Sequence, residues 1–198
     1  LLDLFDHTLA VSAAGELADV RLSLGCEEPT LQEALSVAEQ KTAVYSFSLP
    51  MQCGAVLAGS PDRLVDGLGR IGRHLGLAYQ LLDDLTAVFG TPAQTGRPGI
   101  AGDLREGKRT VLVAHTLDTA TPTQIERFNE LFGRADLDEA GVDWLRELVS
   151  SSGAVDATEA MISALSAQAD AALDRATLTP EGERMLRDLI GIAVARNA

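Results

Sequence analysis

Aromatic residues make up only 4% of this 198-residue chain, and β-branched residues are not enriched. Sheet cores draw on both types, so their scarcity argues against a β fold and for packed helices rich in alanine and leucine. Cysteine occurs twice, at Cys26 and Cys53, with neither a pairing pattern nor metal-ligand spacing. That speaks against a disulfide scaffold or zinc module and points to a reduced, cytoplasmic setting. No uninterrupted apolar run approaches the roughly 18 residues that span a bilayer. The acids in Leu1-Leu-Asp-Leu-Phe-Asp6 argue against a signal peptide. The chain therefore reads as soluble. Cations are short as well: 16 lysines and arginines against 29 acids give a net charge of -13. Nucleic acid and anionic membrane surfaces should be repelled. An anionic substrate would need local Lys/Arg and metal ions to overcome that field.

What is present is helical periodicity from end to end, without a two-residue period, repeat or linker. Residues 1 to about 22 form a first helix interrupted by Gly15. Thr30-Leu-Gln-Glu33 is a capping box opening a helix through Tyr45 to about Ser48, which Pro50 should break or kink. A short small-residue helix follows from Met51 to Gly59. Ser60 and Pro61 start a long helix running to about Phe89. Residues 90–107 are a glycine- and proline-punctuated loop, and a helix begins near Lys108. Four more helices are expected at roughly 123–133, 136–151, 155–176 and 180–196. The expectation is a single all-α domain over residues 1–198.

Two adjacent carboxylates, Asp83 and Asp84, lie among the apolar residues of the long helix. Such acids carry a desolvation cost unless a cation offsets it. Gln80 shares their face, one turn earlier. Mg²⁺ commonly takes one or two carboxylates, waters and substrate phosphate oxygens, a role both acids suit; the plain alternative is a solvated acidic face. Gly102-Asp-Leu-Arg-Glu-Gly-Lys-Arg-Thr110 supplies a cationic loop about 20 residues on, with Lys108 near a helix N-terminus, a natural phosphate site. Lys41 sits late in its helix beside Ala38, Val44 and Tyr45, where it either faces an anion or snorkels to the surface. His7, His74 and His115 are isolated and read as structural or surface residues. Trp144 and Met185 read as core, and Ser150-Ser-Ser-Gly153 as a helix-ending turn.

Tyr79-Gln-Leu-Leu-Asp-Asp-Leu85, Phe89-Gly-Thr-Pro92, Thr95-Gly-Arg-Pro98 and Gly102-Asp-Leu-Arg-Glu-Gly-Lys-Arg-Thr110 together resemble the second aspartate-rich region of trans-type isoprenyl diphosphate synthases, the polyprenyl synthetases. Lys41-Thr42-Ala-Val-Tyr45, followed by Pro50 and Gly54-Ala-Val-Leu-Ala-Gly59, resembles the family's lysine-threonine helix. The resemblance extends over nearly the whole chain. It implies an isoprenoid synthase-type helical bundle that condenses an allylic diphosphate with isopentenyl diphosphate, as a homodimer. By the same resemblance Asp83 and Asp84 bind Mg²⁺, with Asp103 assisting. Lys41, Arg97 and Lys108 hold the diphosphate, Arg97 standing where lysine is usual. Thr42 and Gln80 stabilise the allylic carbocation through their oxygen dipoles.

The chain also departs from the family pattern. Ala87 takes the place of its third acid, and Glu16, in Gly15-Glu-Leu-Ala-Asp19, takes the place of a glutamine. The family's first aspartate-rich motif, its isopentenyl-diphosphate arginines and first helices would lie upstream of Leu1, and Asp3 and Asp6 do not replace them. The chain thus resembles a C-terminal portion of the fold, incomplete at the N-terminus and expected to be inactive alone. The family's determinants of product length lie largely near that first motif. Two other functions fit the pattern less well: a non-catalytic or regulatory subunit, suggested by Ala87 and the missing motif, and a terpene cyclase, whose second metal motif would need Ser/Thr and Glu where Ala87 and Thr91 stand.

Overall fold

The computed structural model describes residues 1–25, 28–95 and 101–195. Among these residues every regular element is helical and there is no strand, the all-α class that the sequence predicts. The order is α1 (Leu2–Leu24), α2 (Leu31–Ala38), a π-helix (Glu39–Ser48), α3 (Leu49–Leu57), α4 (Asp62–Phe89) and α5 (Pro92–Thr95). Then come α6 (Gly102–Glu106), α7 (Val111–Thr119), α8 (Pro122–Leu131), α9 (Glu139–Ser151), α10 (Ala154–Leu173) and α11 (Pro180–Val194). Among the described residues no helix is long and apolar enough to cross a membrane.

Helix starts follow side-chain chemistry. Thr30 Oγ1 accepts the Glu33 amide at 3.2 Å while Glu33 Oε2 accepts the Thr30 amide at 2.9 Å, the reciprocal cap read from the sequence. Thr121 and Gln124 repeat it at α8, with Pro122 in the first turn. Asp138 caps α9 by accepting the Gly141 amide at 2.8 Å, and Thr179 caps α11 at Gly182.

Four expectations about the helices are corrected. The helix expected to run regularly to Ser48 changes to a π-helix at Glu39. Pro50 does not interrupt the chain either: α3 follows directly on the π-helix, with Ser48 helical and Pro50 in the first turn of α3. The loop expected over 90–107 contains the short helices α5 and α6. Gly15 leaves α1 unbroken.

The chain divides into two compact units, and the boundary falls within α4 after Gln80. The first comprises Leu1–Leu17, Ser36–Gln80 and Ala160–Ala198. Its core joins Leu68, Ile71 and Leu75 of α4 to Ala55, Ala169, Leu173, Ile190 and Ala193. Burying each leucine or isoleucine contributes about 1.5–3 kcal/mol. Along one side of α1, Leu2, Phe5, Leu9 and Leu17 are exposed, and so is Met185, which the sequence assigned to the core.

The π-helix is seated by glycines. In a π-helix, residues five apart stack, and Leu49 N–H accordingly bonds Val44 O. Ala43 and Ser48, five apart, are both buried. They meet Gly76 and Gly72, four apart on α4: a Cβ on Gly76 would lie 2.5 Å from Ala43 Cα, and one on Gly72 would lie 2.7 Å from Ser48 N. A third glycine, Gly15 of α1, approaches from another element; its Cβ would lie 2.8 Å from Lys41 N. Helix backbones touch at all three places.

The second unit comprises Ala18–Leu35 and Leu81–Glu159. Val111–Ala114, Thr116 and Leu117 of α7 are buried, with α9 packed against α7 and α8 through such residues as Val142, Leu145 and Val149. Phe128 is fully buried and stacks on Phe132 at 4.5 Å. Trp144, read as core, is half-buried beneath the Arg127 guanidinium at 4.6 Å.

These contacts predict opposite outcomes for two glycine-to-alanine changes. Gly72→Ala should destabilise by about 1–3 kcal/mol, because backbone rather than a flexible side-chain end meets the new methyl. Gly54→Ala, on α3 with nothing within 4 Å, should stabilise by about 0.5–1 kcal/mol. Urea midpoints at constant m-value check both.

Candidate functional site

In the first unit the candidate residues cluster on and opposite the π-helix. Thr42 Oγ1 donates to Gln80 Oε1 at 2.7 Å. A hydroxyl has one proton, so this bond leaves Thr42 presenting only oxygen lone pairs, the polarity that a developing carbocation attracts. The neighbouring Lys41 ammonium lies 2.9 Å from Glu16 Oε2, with side-chain exposures of 38% and 57%. Phe47 and Tyr79 pack their rings at 5.3 Å between the same two helices.

In the second unit, α4 carries Asp83, which is exposed, and Asp84, which is buried. Thr86 turns its hydroxyl back onto Leu82 O at 2.8 Å. Asp103, on α6, is 3% exposed. Lys108 Nζ lies 2.6 Å from Asp103 Oδ1 and 3.3 Å from Glu106 Oε2.

Local geometry fixes that lysine-carboxylate pair. Ala101 and Gly107 both take left-handed backbone, φ 55° and 72°, and bracket the single turn of α6. The Lys108 amide donates to Asp103 O at 3.0 Å. Arg105 donates to the carbonyls of Leu137 and Ala135, and the Gly133 amide to Leu104 O. Gly107 and Gly133 touch, since a Cβ on Gly107 would lie 3.1 Å from Gly133 Cα. Arg109 lies over the Phe132 ring at 5.1 Å. In the basic loop Arg105 fastens the backbone of the 135–137 segment, Arg109 covers an aromatic ring, and Lys108 pairs with Asp103 and Glu106.

Burial pushes the Asp103 carboxyl above its usual range; the Lys108 hydrogen bond and charge oppose this, while Asp83 and Glu106 add to it. Burial alone would lower Lys108, but its bonds and attraction to Asp103 and Glu106 outweigh that and raise it. The ammonium binds its acids yet does not fully balance Asp103. A second cation beside Asp103 and Asp83 would correct the deficit, so these residues fit a divalent ion. Among the described residues no three or more His, Cys, Asp or Glu side chains form a ready metal cage.

Residues 1–149 match the family model described as polyprenyl synthetase. This chain belongs to the polyprenyl synthetase family. It is 44% identical over 87 residues to the (2E,6E)-farnesyl diphosphate synthase of Mycobacterium bovis, covering 44% of this chain and 24% of that protein. With farnesyl pyrophosphate synthase 2 of Cannabis sativa it shares 33% identity over 153 residues, 75% of this chain and 43% of the relative. The fold matches geranylgeranyl pyrophosphate synthase from Corynebacterium glutamicum, complexed with isoprenyl diphosphate and magnesium, at a TM-score of 0.92 and 33% identity. That match covers 98% of this chain and 55% of the other. Polyprenyl synthase from Caulobacter crescentus, complexed with calcium and isoprenyl diphosphate, matches at 0.87 with 30% identity, over 100% of this chain and 59% of the other. The chain therefore spans 24% to 59% of the length of these relatives.

Of the residues proposed from sequence, the structure brings Thr42 and Gln80 together, and likewise Asp103 and Lys108. Arg97 lies outside the described residues. Sequence reasoning missed the acids that hold the lysines, Glu16 and Glu106. The glutamate at position 16 was a visible departure, but nothing linked it to a lysine 25 residues on.

The Asp103 imbalance has a testable sign. A carboxyl raised in the folded state holds its proton more tightly there than in the unfolded chain, so its contribution to stability falls as pH rises above 3.8. Asp103→Asn removes that contribution. Its stability relative to the parent should rise between about pH 4 and about pH 7, measured by urea midpoints.

Proposed function

We propose that this chain carries the diphosphate-ionising machinery of a Mg²⁺-dependent prenyltransferase that condenses an allylic diphosphate with isopentenyl diphosphate. The observation that carries the reading is the Asp103–Lys108 ion pair, with the Asp83 charge acting on the same carboxyl, in a member of the polyprenyl synthetase family. Asp83 and Asp84 hold the metal and Asp103 supports it from α6. Bound Mg²⁺ supplies positive charge that neutralises the departing diphosphate.

The chain's own residues do the rest. Lys108 and Lys41 place ammonium groups on the diphosphate oxygens, with Arg97 as a third cation. Heterolysis of the allylic C–O bond sends the electron pair to the diphosphate and leaves an allylic cation. The Thr42 oxygen, its proton committed to Gln80, turns a negative dipole on that cation. The double bond of isopentenyl diphosphate then supplies the electrons of the new C–C bond, and a proton passes to the released diphosphate. We assign this activity to a homodimer in the cytosol, with residues 1–198 acting as one domain.

Asp83→Ala in the natural polypeptide tests the metal role. Turnover of allylic plus isopentenyl diphosphate should fall about 10²–10³-fold, as for loss of a charge-stabilising group. The Mg²⁺ requirement should rise about 10–100-fold. Unchanged turnover defeats the assignment. Ala87 at the third acidic position favours one rival, a subunit without catalysis of its own. That rival predicts no turnover by the parent polypeptide and a gain when a second synthase is added.

A further inference from the structure

We infer that Glu16 is a built-in competitor of the substrate's diphosphate: it holds Lys41 until the phosphate oxygens displace it, and so lowers affinity for the allylic diphosphate. This rests on the reading of Lys41 as a diphosphate ligand. Three observations support it. First, the pairing is set by backbone contact and not by chance surface proximity. Gly15 brings α1 against the π-helix so closely that a Cβ there would lie 2.7 Å from Gln40 Cβ and 2.8 Å from Lys41 N. The residue after that contact is Glu16, and its carboxylate lies 2.9 Å from the Lys41 ammonium.

Second, the two ion pairs differ in kind. Lys41 and Lys108 are the only lysines of the chain, and each lies against a carboxylate. The partner of Lys108 is Asp103, whose side chain is 4% exposed and anchored on a fastened loop. The partner of Lys41 is 57% exposed and can swing into water at little cost. One pair is permanent, and the other can exchange.

Third, magnitudes allow displacement. An exposed pair holds by about 0–1 kcal/mol, which a multiply charged diphosphate exceeds. The glutamate therefore permits binding and lowers its affinity. A glutamine at position 16, as in the pattern that this region resembles, would carry no charge for the diphosphate to displace.

The absence of other lysines makes the test direct. Reductive methylation with ¹³C-formaldehyde keeps both ammonium charges and yields two side-chain signals, assigned with Lys41→Arg. The chain and its Glu16→Gln form are titrated with inorganic pyrophosphate at fixed Mg²⁺. The Lys41 signal should move in both, with a dissociation constant about three- to fivefold lower for Glu16→Gln. The ratio should narrow as salt is raised. Glu16→Asp, which keeps the charge, should stay within about twofold of the parent. Equal constants for the parent and Glu16→Gln overturn the competition while leaving Lys41 a diphosphate ligand. A Lys41 signal that pyrophosphate moves in neither protein overturns the ligand reading itself. Circular dichroism establishes that each variant is folded, and Glu16→Ala gives the same comparison should Glu16→Gln fail to fold.

Discussion

Charge compensation around a few buried or half-buried acids organises this molecule. With an excess of 13 negative charges, each cation is a scarce resource. Asp103 is nearly free of solvent contact, and leaving it unpaired there would be strongly destabilising. Lys108 answers it, and α6 exists as a single fastened turn whose geometry keeps the two in contact. Left-handed backbone at Ala101 and Gly107, the Arg105 bonds to the 135–137 segment and the Gly107–Gly133 contact all serve that arrangement. Burial still disfavours the Asp103 charge, and the nearby Asp83 adds to that.

The first unit meets a different constraint with a different device. Lys41 and Thr42 lie on a π-helix, a form uncommon outside functional segments. Its irregular turns are stabilised from outside, by glycines that let neighbouring backbones reach it. The Thr42–Gln80 bond then ties its side chain to α4.

The sequence carried much of this. Helix starts that depend on local side-chain bonds, such as Thr30 with Glu33, were legible because cap and capped amide lie three residues apart. The paired acids of α4 and the basic loop were legible because their residue types and order have few uses. The π-helix was not, since Glu39–Ser48 contains no breaker and an ordinary helical pattern. The glycines that approach it closely, Gly15, Gly72 and Gly76, lie distant in the chain. Nor was the Glu16–Lys41 pair, for the same reason. Met185 misled because its apolar spacing on α11 matched that of a buried residue, although the residue is 63% exposed.

The mesh between the π-helix and α4 acts like a vernier. Steps of five on one rod are read against steps of four on the other, so Ala43 meets Gly76 and Ser48 meets Gly72. Two scales of unequal pitch coincide at only one setting. The number of residues between these contacts is therefore as constrained as their identity. Losing or gaining a single residue there would rotate Lys41 and Thr42 away from their present bearing while leaving the composition of the segment almost unchanged. Length variation in this lineage should accordingly collect in the turns between helices and spare residues 43–48.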